Sequence, residues 1–175
     1  MPNWTENWVS FKGPYQDISK IEKHLQSDDN EEGCFDFHKI LPQPDDLERG
    51  RLIKVNAGED KKTVIATMSE QEYNWCIDNW GTKWNSCDPE IHTRGMDSDN
   101  ITEHIVYKFN TAWCTPAGIT IAIRNMLYDK YPEVEMHWFH RDEDGGFYYI
   151  EEIEYWGDHQ PKLFCHKKAK QVLAA

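Results

Sequence analysis

The sequence predicts an α+β fold in which helices pack on one face of a mostly antiparallel sheet. The prediction rests on segments that alternate apolar and polar residues, on amphipathic helical stripes, and on a strong hairpin signal near the C-terminus. The elements follow the order strand, helix, strands, helix, strand, helix, hairpin. No internal repeat or long linker divides the chain, so residues 1–175 are predicted to form a single domain.

The first third of the chain contains a strand, a helix and several extended segments. Residues 8–12 alternate weakly and predict a strand that ends at Gly13-Pro14. Apolar residues at i, i+3 and i+7 predict the next helix: Ile18, Ile21 and Leu25. Residues 34–42, with the sequence CFDFHKILP, alternate again and predict a second strand or extended segment. Two short apolar runs, 52–55 and 64–67, are also interpreted as extended.

The clearest helix signal lies in the middle of the chain. Residues 69–72 form a capping box, in which the Ser69 hydroxyl accepts the amide of the third helical residue while Glu72 reaches back. The apolar stripe that follows has helical spacing: Tyr73, Cys76, Ile77 and Trp80. Gly81 predicts the end of this helix, because glycine readily takes the left-handed conformation found there.

Four further elements are predicted after this helix. Residues 87–100 are interpreted as a mobile loop, and the alternation in residues 104–109 predicts a strand. Thr115-Pro116 supply the N-cap and the first turn of a helix that Tyr131-Pro132 end. Its apolar stripe is the best in the chain: Ile119, Ala122, Ile123, Met126 and Leu127.

The C-terminal part of the chain predicts a long β-hairpin. Residues 134–141 and 147–156 are rich in β-forming side chains, and the turn sequence DEDGG joins them. Residues 157–175 form a basic tail, in which a short helix is predicted from Pro161.

The charge of the chain is strongly acidic and unevenly distributed. The 31 acidic and 19 basic residues give a net charge of −12. This balance argues against direct binding of duplex nucleic acid, which requires neutralisation of phosphates. Residues 133–158 carry a net −8, residues 28–48 a net −7, and residues 159–175 a net +4. The acidity therefore lies in two blocks, one of which is the predicted hairpin.

The acidic hairpin is the first candidate binding site. An edge ribbon carries such charges simply to stay solvated and to prevent aggregation. The functional alternative is a surface that docks a basic protein, because acidic rows steer association and aromatic side chains provide buried anchors. The residues of this partner-binding prediction are Glu143, Asp144, Tyr148, Glu151, Glu152, Glu154, Tyr155 and Trp156.

The tryptophan-rich sequence WCIDNWGTKWNS is the second candidate. Several indoles near one helix end could form a stacking platform for a base or a sugar. The alternative is that they fill the space between helix and sheet, which is the more common use of large aromatic side chains. The residues of the platform hypothesis are Trp75, Trp80, Lys83, Trp84 and Trp113.

Signals for metal binding and catalysis are weak. His137 and His140 are three apart on a predicted strand and so point to opposite faces, and Cys165-His166 has no second ligand pair. No nucleophile elbow or phosphate-binding loop is present. The sequence thus predicts no metal, no cofactor and no enzymatic activity. An enzyme of unknown reaction is kept as an alternative, with a site near Asp78, Asn79, Lys83 and His104.

The compartment is inferred from the cysteines and the N-terminus. The five cysteines are odd in number and widely spaced, which is typical of free thiols in a reducing environment. The opening MPNWTENWVS has no basic region followed by an apolar core, and no stretch is apolar enough to cross a membrane. A cytoplasmic location is therefore expected.

Four motifs in this order carry a resemblance: MPNWTENWVSFKG, FDFHKILPQPDDL, NWCIDNWGTKWNS and FNTAWCTP. Together they resemble the YubB-like, or Api-like, proteins of phages and plasmids, over residues 1–156. The resemblance implies a ferredoxin-like domain and an origin in a mobile genetic element. It implies no catalytic or binding residues.

These observations lead to a functional hypothesis. The chain is expected to be a phage- or mobile-element-encoded acidic protein that inhibits a host nucleic-acid-handling defence system, of the CRISPR or restriction type. It would act in the host cytoplasm by contact with a basic or nucleic-acid-binding host protein. The alternatives are a nucleotide- or RNA-binding module that uses an exposed Trp cluster, and the small enzyme named above.

Overall fold

A computed structural model of the chain describes residues 3–28, 34–50, 52–56, 62–143, 145–150, 154–156, 160–162 and 166–168. Side chains are described for 3–28, 34–50, 67–143, 145–146 and Tyr148. The elements in chain order are β1 Trp4–Pro14, α1 Tyr15–Leu25, α2 Phe37–Ile40, β2 Leu52–Asn56, β3 Lys62–Ala66, α3 Glu70–Asn79, β4 Cys87–Met96, β5 Thr102–Ala112, α4 Ala117–Lys130, β6 Glu135–Arg141, β7 Phe147–Ile150, β8 Glu154–Trp156, β9 Gln160–Lys162 and β10 His166–Lys168.

The main sheet is antiparallel, and its strands follow the order β10-β7-β6-β1-β5-β4. The central strand β1 pairs with β5 from Trp4–Ala112 to Pro14–Thr102, and with β6 from Glu6–Arg141 to Lys12–Glu135. Strands β2 and β3 form a separate pair, as do β8 and β9. The predicted α+β class with an antiparallel sheet is thus confirmed.

The core lies on one face of this sheet. Val9 pairs with Tyr107 on β5 and with Trp138 on β6, and all three side chains are fully buried. All residues of the predicted stripes of α1 and α4 except Ala122 join the same apolar cluster. Their fully buried members are Ile18, Ile21, Leu25, Ile119 and Ile123. On the opposite face the side chains of Glu6, Trp8, Ser10 and Lys12 are less buried, so β1 shows a strict alternation of burial.

The helix predicted at residues 70–80 is confirmed as α3. Ser69 Oγ accepts the amide of Glu72 at 2.9 Å, which is half of the predicted capping box. The Glu72 carboxylate instead accepts the amide of Gly50 at 2.8 Å. Gly81 follows the helix with φ 81°, as predicted for a left-handed C-terminal residue.

Three local predictions are wrong. Residues 87–96 form strand β4 instead of a mobile loop; they lie at a sheet edge, where most side chains are exposed and the register shifts. Residues 34–42 contain the short helix α2 instead of a strand. The Asp36 carboxylate accepts the amide of His38 and caps this helix. The N-cap predicted at Thr115 is not formed. Helix α4 begins at Ala117 without a side-chain cap, and the buried Thr115 hydroxyl has no hydrogen-bond partner.

The hairpin and the tail differ from their predictions. Strand β6 pairs with β7 from Phe139–Tyr149 to Arg141–Phe147. In the described part of the second arm, β7 belongs to the main sheet, whereas β8 pairs with β9 in a separate two-stranded sheet. In the tail, β9 and β10 are extended, so the helix predicted from Pro161 is wrong at these residues. Residues 169–175 lie outside the described residues.

A buried polar network holds α2 against the loop that follows α3. Asp36 Oδ1 accepts a hydrogen bond from Asn85 Nδ2 at 2.8 Å and contacts His38 Nδ1 at 3.1 Å. Asn85 Oδ1 in turn accepts the amide of Phe37 at 2.8 Å. Burial alone would raise the pKa of Asp36, but the hydrogen bonds from His38 and Asn85 outweigh it and lower the pKa below its usual value.

Because of this network, we expect the free energy of unfolding to decrease at acid pH. The pKa of Asp36 is lower in the folded protein than in the unfolded chain. The stabilisation that ionised Asp36 contributes is therefore complete above its pKa in the unfolded chain, and it is lost as the pH falls through its pKa in the folded protein. We expect Asp36→Asn to cost about 1–2 kcal/mol at pH 7 and less near pH 3. Urea unfolding at both pH values measures this, with the exposed Asp45→Asn as the control. An equal cost at both pH values would contradict the assignment.

Candidate functional site

Five side chains form a cluster on the surface at one end of the main sheet: Trp4, Tyr73, Lys83, Trp84 and Trp113. We call them the aromatic cluster. The Lys83 Nζ atom lies 4.6 Å from the Trp84 ring centroid, 5.3 Å from that of Trp113 and 5.8 Å from that of Tyr73. The ring centroids of Trp84 and Trp4 are 6.1 Å apart. Trp113 is 49% exposed and Trp4 is 37% exposed, so the cluster faces solvent.

Local backbone geometry brings these residues together. Gly81 turns the chain away from α3, and the buried Thr82 hydroxyl donates to the Ala112 carbonyl at 3.0 Å. That bond ties the loop carrying Lys83 and Trp84 to the end of β5. Trp113 has φ 72°, a conformation that non-glycine residues adopt only where the surroundings hold them. Its amide donates to the Asn3 carbonyl at 2.8 Å.

An acidic turn adjoins the aromatic cluster. Asp142 and Glu143, which we call the acidic turn, follow β6 directly. Glu143 Oε1 accepts the amide of Trp4 at 2.8 Å, and Asp142 Oδ1 accepts the Thr5 hydroxyl at 3.2 Å. Trp4, a member of the aromatic cluster, therefore contacts the acidic turn directly, and the two features form one continuous surface.

A cleft of about 480 Å³ opens beside this surface. It is lined by Trp4, Glu6, Asn110, Arg141, Asp142, Glu143 and Gly145. Glu6 pairs with Arg141 and lies 3.6 Å from Lys108 Nζ. Both cations also lie over the Trp8 ring, at 5.6 Å for Lys108 and 5.7 Å for Arg141. Two of the lining residues, Glu6 and Arg141, are thus paired with each other, and the acidic turn contributes two more.

The acidic turn also affects a nearby thiol. Cys114 Sγ donates to the Gly81 carbonyl at 2.8 Å. Desolvation of the thiol and the Asp142 carboxylate both raise the pKa of Cys114. Burial raises the pKa of Cys76 to about 11. Both thiols therefore stay protonated at neutral pH, which is the less reactive form.

The predicted tryptophan platform is divided by the fold. Trp80 is 1% exposed, and its indole donates to the Leu41 carbonyl at 2.8 Å. Trp75 packs edge-on against it with centroids 5.5 Å apart. The platform prediction is therefore wrong for Trp80, which belongs to the core, and Trp75 is half-buried against that core. Lys83, Trp84 and Trp113 do come together, and sequence reasoning missed Trp4 and Tyr73 as their neighbours.

The predicted partner-binding residues fall in different places. Glu143 lies in the acidic turn, and the half-buried Tyr148 stacks on His140 with centroids 5.1 Å apart. Asp144, Glu151 and Glu152 lie outside the described residues. The backbone of β8 carries the remaining three: Glu154, Tyr155 and Trp156.

The residues considered for catalysis do not share a site. Lys83 lies beyond one end of β5, beside Trp113, whereas His104 lies near the other end. Residues 104 and 112 of that strand are separated by about 27 Å of extended chain. Asn79 donates to the Trp75 carbonyl of its own helix. The enzyme site built from Asp78, Asn79, Lys83 and His104 is therefore wrong.

Neither a metal cluster nor a membrane helix is found in the described part of the chain. His137 is exposed on one sheet face and His140 is buried on the other. No group of three or more His, Cys, Asp and Glu residues among the described ones is placed to hold a metal ion. None of the described helices has the length and apolar character needed to span a membrane.

Comparisons of the chain with protein-family models, curated proteins and solved structures found no match.

Proposed function

We propose that this chain is a non-enzymatic binding protein that docks onto a basic or nucleic-acid-binding protein through the aromatic cluster and the acidic turn. One observation carries the proposal: Trp4 contacts Trp84 with its ring and Glu143 with its amide, so anchors and charge share one surface. Trp and Tyr dominate binding energy at protein interfaces, and complementary charge steers the encounter.

The charge of the chain supports a protein partner with basic character. The net charge is −12, and the acidic turn lies beside exposed indoles. Carboxylates at this position repel phosphates and attract lysine and arginine side chains. An acidic protein of this kind occupies a surface that the partner uses for nucleic acid.

We propose further that the core has the ferredoxin-like topology. The order β1-α1-β4-β5-α4-β6 with sheet order β6-β1-β5-β4 supports it, because it follows the βαββαβ pattern. Residues 26–86 are then an insertion between α1 and β4. The likeness to YubB-like proteins supports an origin in a phage or plasmid. The partner is then a host nucleic-acid-handling defence complex, of the CRISPR or restriction type, in the host cytoplasm.

A nucleotide- or RNA-binding module is the second candidate. The half-exposed rings of Trp4 and Trp113 beside the Lys83 ammonium favour it, because bases stack on such rings. The adjacent acidic turn disfavours it. Titration with single-stranded oligonucleotides at low salt, followed by indole fluorescence, separates the two candidates.

Capture from a nuclease-treated bacterial host lysate tests the proposal. We expect the wild-type chain to enrich one nucleic-acid-binding protein, and Trp84→Ala/Trp113→Ala to retain less than about a tenth of it, as expected for interface anchors worth 2 kcal/mol or more. Asp142→Asn/Glu143→Gln keeps both acceptor oxygens but removes two charges. This variant should weaken capture several-fold and reduce its dependence on salt.

The matched control is Tyr128→Ala, which removes an aromatic side chain that is 85% exposed on α4. It should capture as much partner as the wild-type chain. Equal capture by the Trp84→Ala/Trp113→Ala variant would show that the aromatic cluster is not the contact. Charge reversal of Glu151, Glu152 and Glu154 tests the hairpin separately. Loss of capture there alone would place the contact on the hairpin.

A further inference from the structure

The aromatic cluster already contains a cation. The Lys83 ammonium lies within 6 Å of three ring centroids, those of Tyr73, Trp84 and Trp113. This distance is the range in which a ring attracts a cation. Tyr73 and Trp84 are half-buried, so two walls of this cage are partly shielded from water. The exposed Trp113 forms the open wall.

Lys83 is held differently from several other lysines of the chain. Lys12, Lys20 and Lys108 each pair with a carboxylate. Within the described residues, the Lys83 ammonium forms no such ion pair, and the three rings are its contacts. Rings hold an exposed cation with only about 0.5–1 kcal/mol, so a competing cation can displace it.

We propose that this cage receives a lysine side chain of the partner protein, which displaces Lys83. The inference rests on the proposed protein-docking function and names the chemistry of its partner. Charge complementarity supports a cationic occupant, because Trp4 joins the cage wall at Trp84 to Glu143 of the acidic turn. Lys83 occupies the cage in the free protein, and it competes with the incoming ammonium.

The competition predicts that a substitution of Lys83 strengthens the binding of the ligand. A site that its own side chain occupies binds a ligand more weakly, by the fraction of time that it is free. Lys83→Ala removes the competing ammonium together with the chain that carries it, so that the side chain at position 83 no longer fills the space between the rings. We expect it to bind a lysine peptide about fivefold more tightly than the wild-type chain, from the strength of the exposed cation–ring contact.

The test uses the full chain and the peptide acetyl-Gly-Lys-Gly-amide, with the norleucine peptide as the uncharged control. NMR of the indole N–H groups of Trp84 and Trp113, assigned through Trp→Phe variants, reports occupancy. The lysine peptide should shift both signals, with the lower Kd in Lys83→Ala. The norleucine peptide should leave them unchanged. Lys83→Gln is measured in parallel, so that a folding defect in one variant does not decide the result.

The matched control is Lys23→Ala, which removes the same charge from an exposed position on α1. It should bind the peptide as the wild-type chain does, because a general change in net charge does not open the cage. Equal Kd values for Lys83→Ala, Lys23→Ala and wild type would overturn the inference, as would equal binding of the norleucine peptide. If capture of the partner still requires Trp84 and Trp113, the proposed function stands without the cage.

Discussion

Gly118→Ala is expected to lower the free energy of unfolding by about 3 kcal/mol, the upper end of the usual cost of overpacking. Gly118 lies at the start of α4, where a Cβ atom would meet the Asn79 carbonyl oxygen at 1.7 Å. The obstructing atom belongs to the backbone of α3, so a side-chain rotation cannot relieve the clash. Urea unfolding followed by far-UV circular dichroism measures the loss.

Gly145→Ala is the matched control for this substitution. It adds the same methyl group where no atom lies within 4 Å, although its φ of 79° strains an alanine. We expect a cost of about 1–2 kcal/mol from the left-handed conformation alone. Equal urea midpoints for Gly118→Ala and Gly145→Ala would show that α3 and α4 move apart at little cost in stability. Gly118 also donates its amide to the Trp80 carbonyl at 3.2 Å, so the shift of residue 118 that relieves the clash should disturb the loop that carries Lys83 and Trp84.

Trp80→Ala is expected to cost about 3–5 kcal/mol, the range measured for removal of a large core aromatic side chain. Trp80 is 1% exposed and contacts the Phe37 ring at 5.7 Å and the Trp75 ring at 5.5 Å. The change leaves a cavity between α2 and α3. It also removes the donor to the Leu41 carbonyl. Thermal and urea unfolding both report this loss.

Trp84→Ala is the control, because it removes the same side chain from the surface cluster. We expect less than about 1 kcal/mol of lost stability, as is usual for surface substitutions. Partner capture should show the reverse order, with a large loss for Trp84→Ala and normal capture by the folded fraction of Trp80→Ala. A Trp84→Ala variant as unstable as Trp80→Ala would place Trp84 in the core.

Local signals in the sequence account for much of the helical structure. The start of α3 at Ser69 and its end at Gly81 were predictable, because capping and left-handed backbone depend on residues within one turn. The stripes of α1 and α4 were predictable from helical spacing. Strand β4 was not, because an edge strand with exposed side chains has no apolar alternation.

The candidate site was predictable only in part. The grouping of Lys83, Trp84 and Trp113 is predictable, because several indoles near one helix end can form a stacking platform. Trp4 was missed, although it lies on the same face of β1 as Glu6 and Trp8. The buried face of this stretch carries the polar Thr5 and Asn7, so its polarity is inverted relative to an ordinary strand. Asn7 is satisfied there by hydrogen bonds to Thr111 and Trp138, which local sequence cannot indicate.

The sequence by itself determined the α+β class, the principal helices, and a net charge of −12 concentrated in two blocks. The tertiary structure decided which aromatic side chains meet which acidic ones. Trp4 and Glu143 are 139 residues apart, and they meet because Glu6 pairs with Arg141 in the antiparallel register of β1 and β6. Trp4 lies two residues before Glu6, and Glu143 lies two residues after Arg141. The register therefore places the start of β1 beside the acidic turn. Register depends on long-range pairing and burial, so no local pattern could supply it.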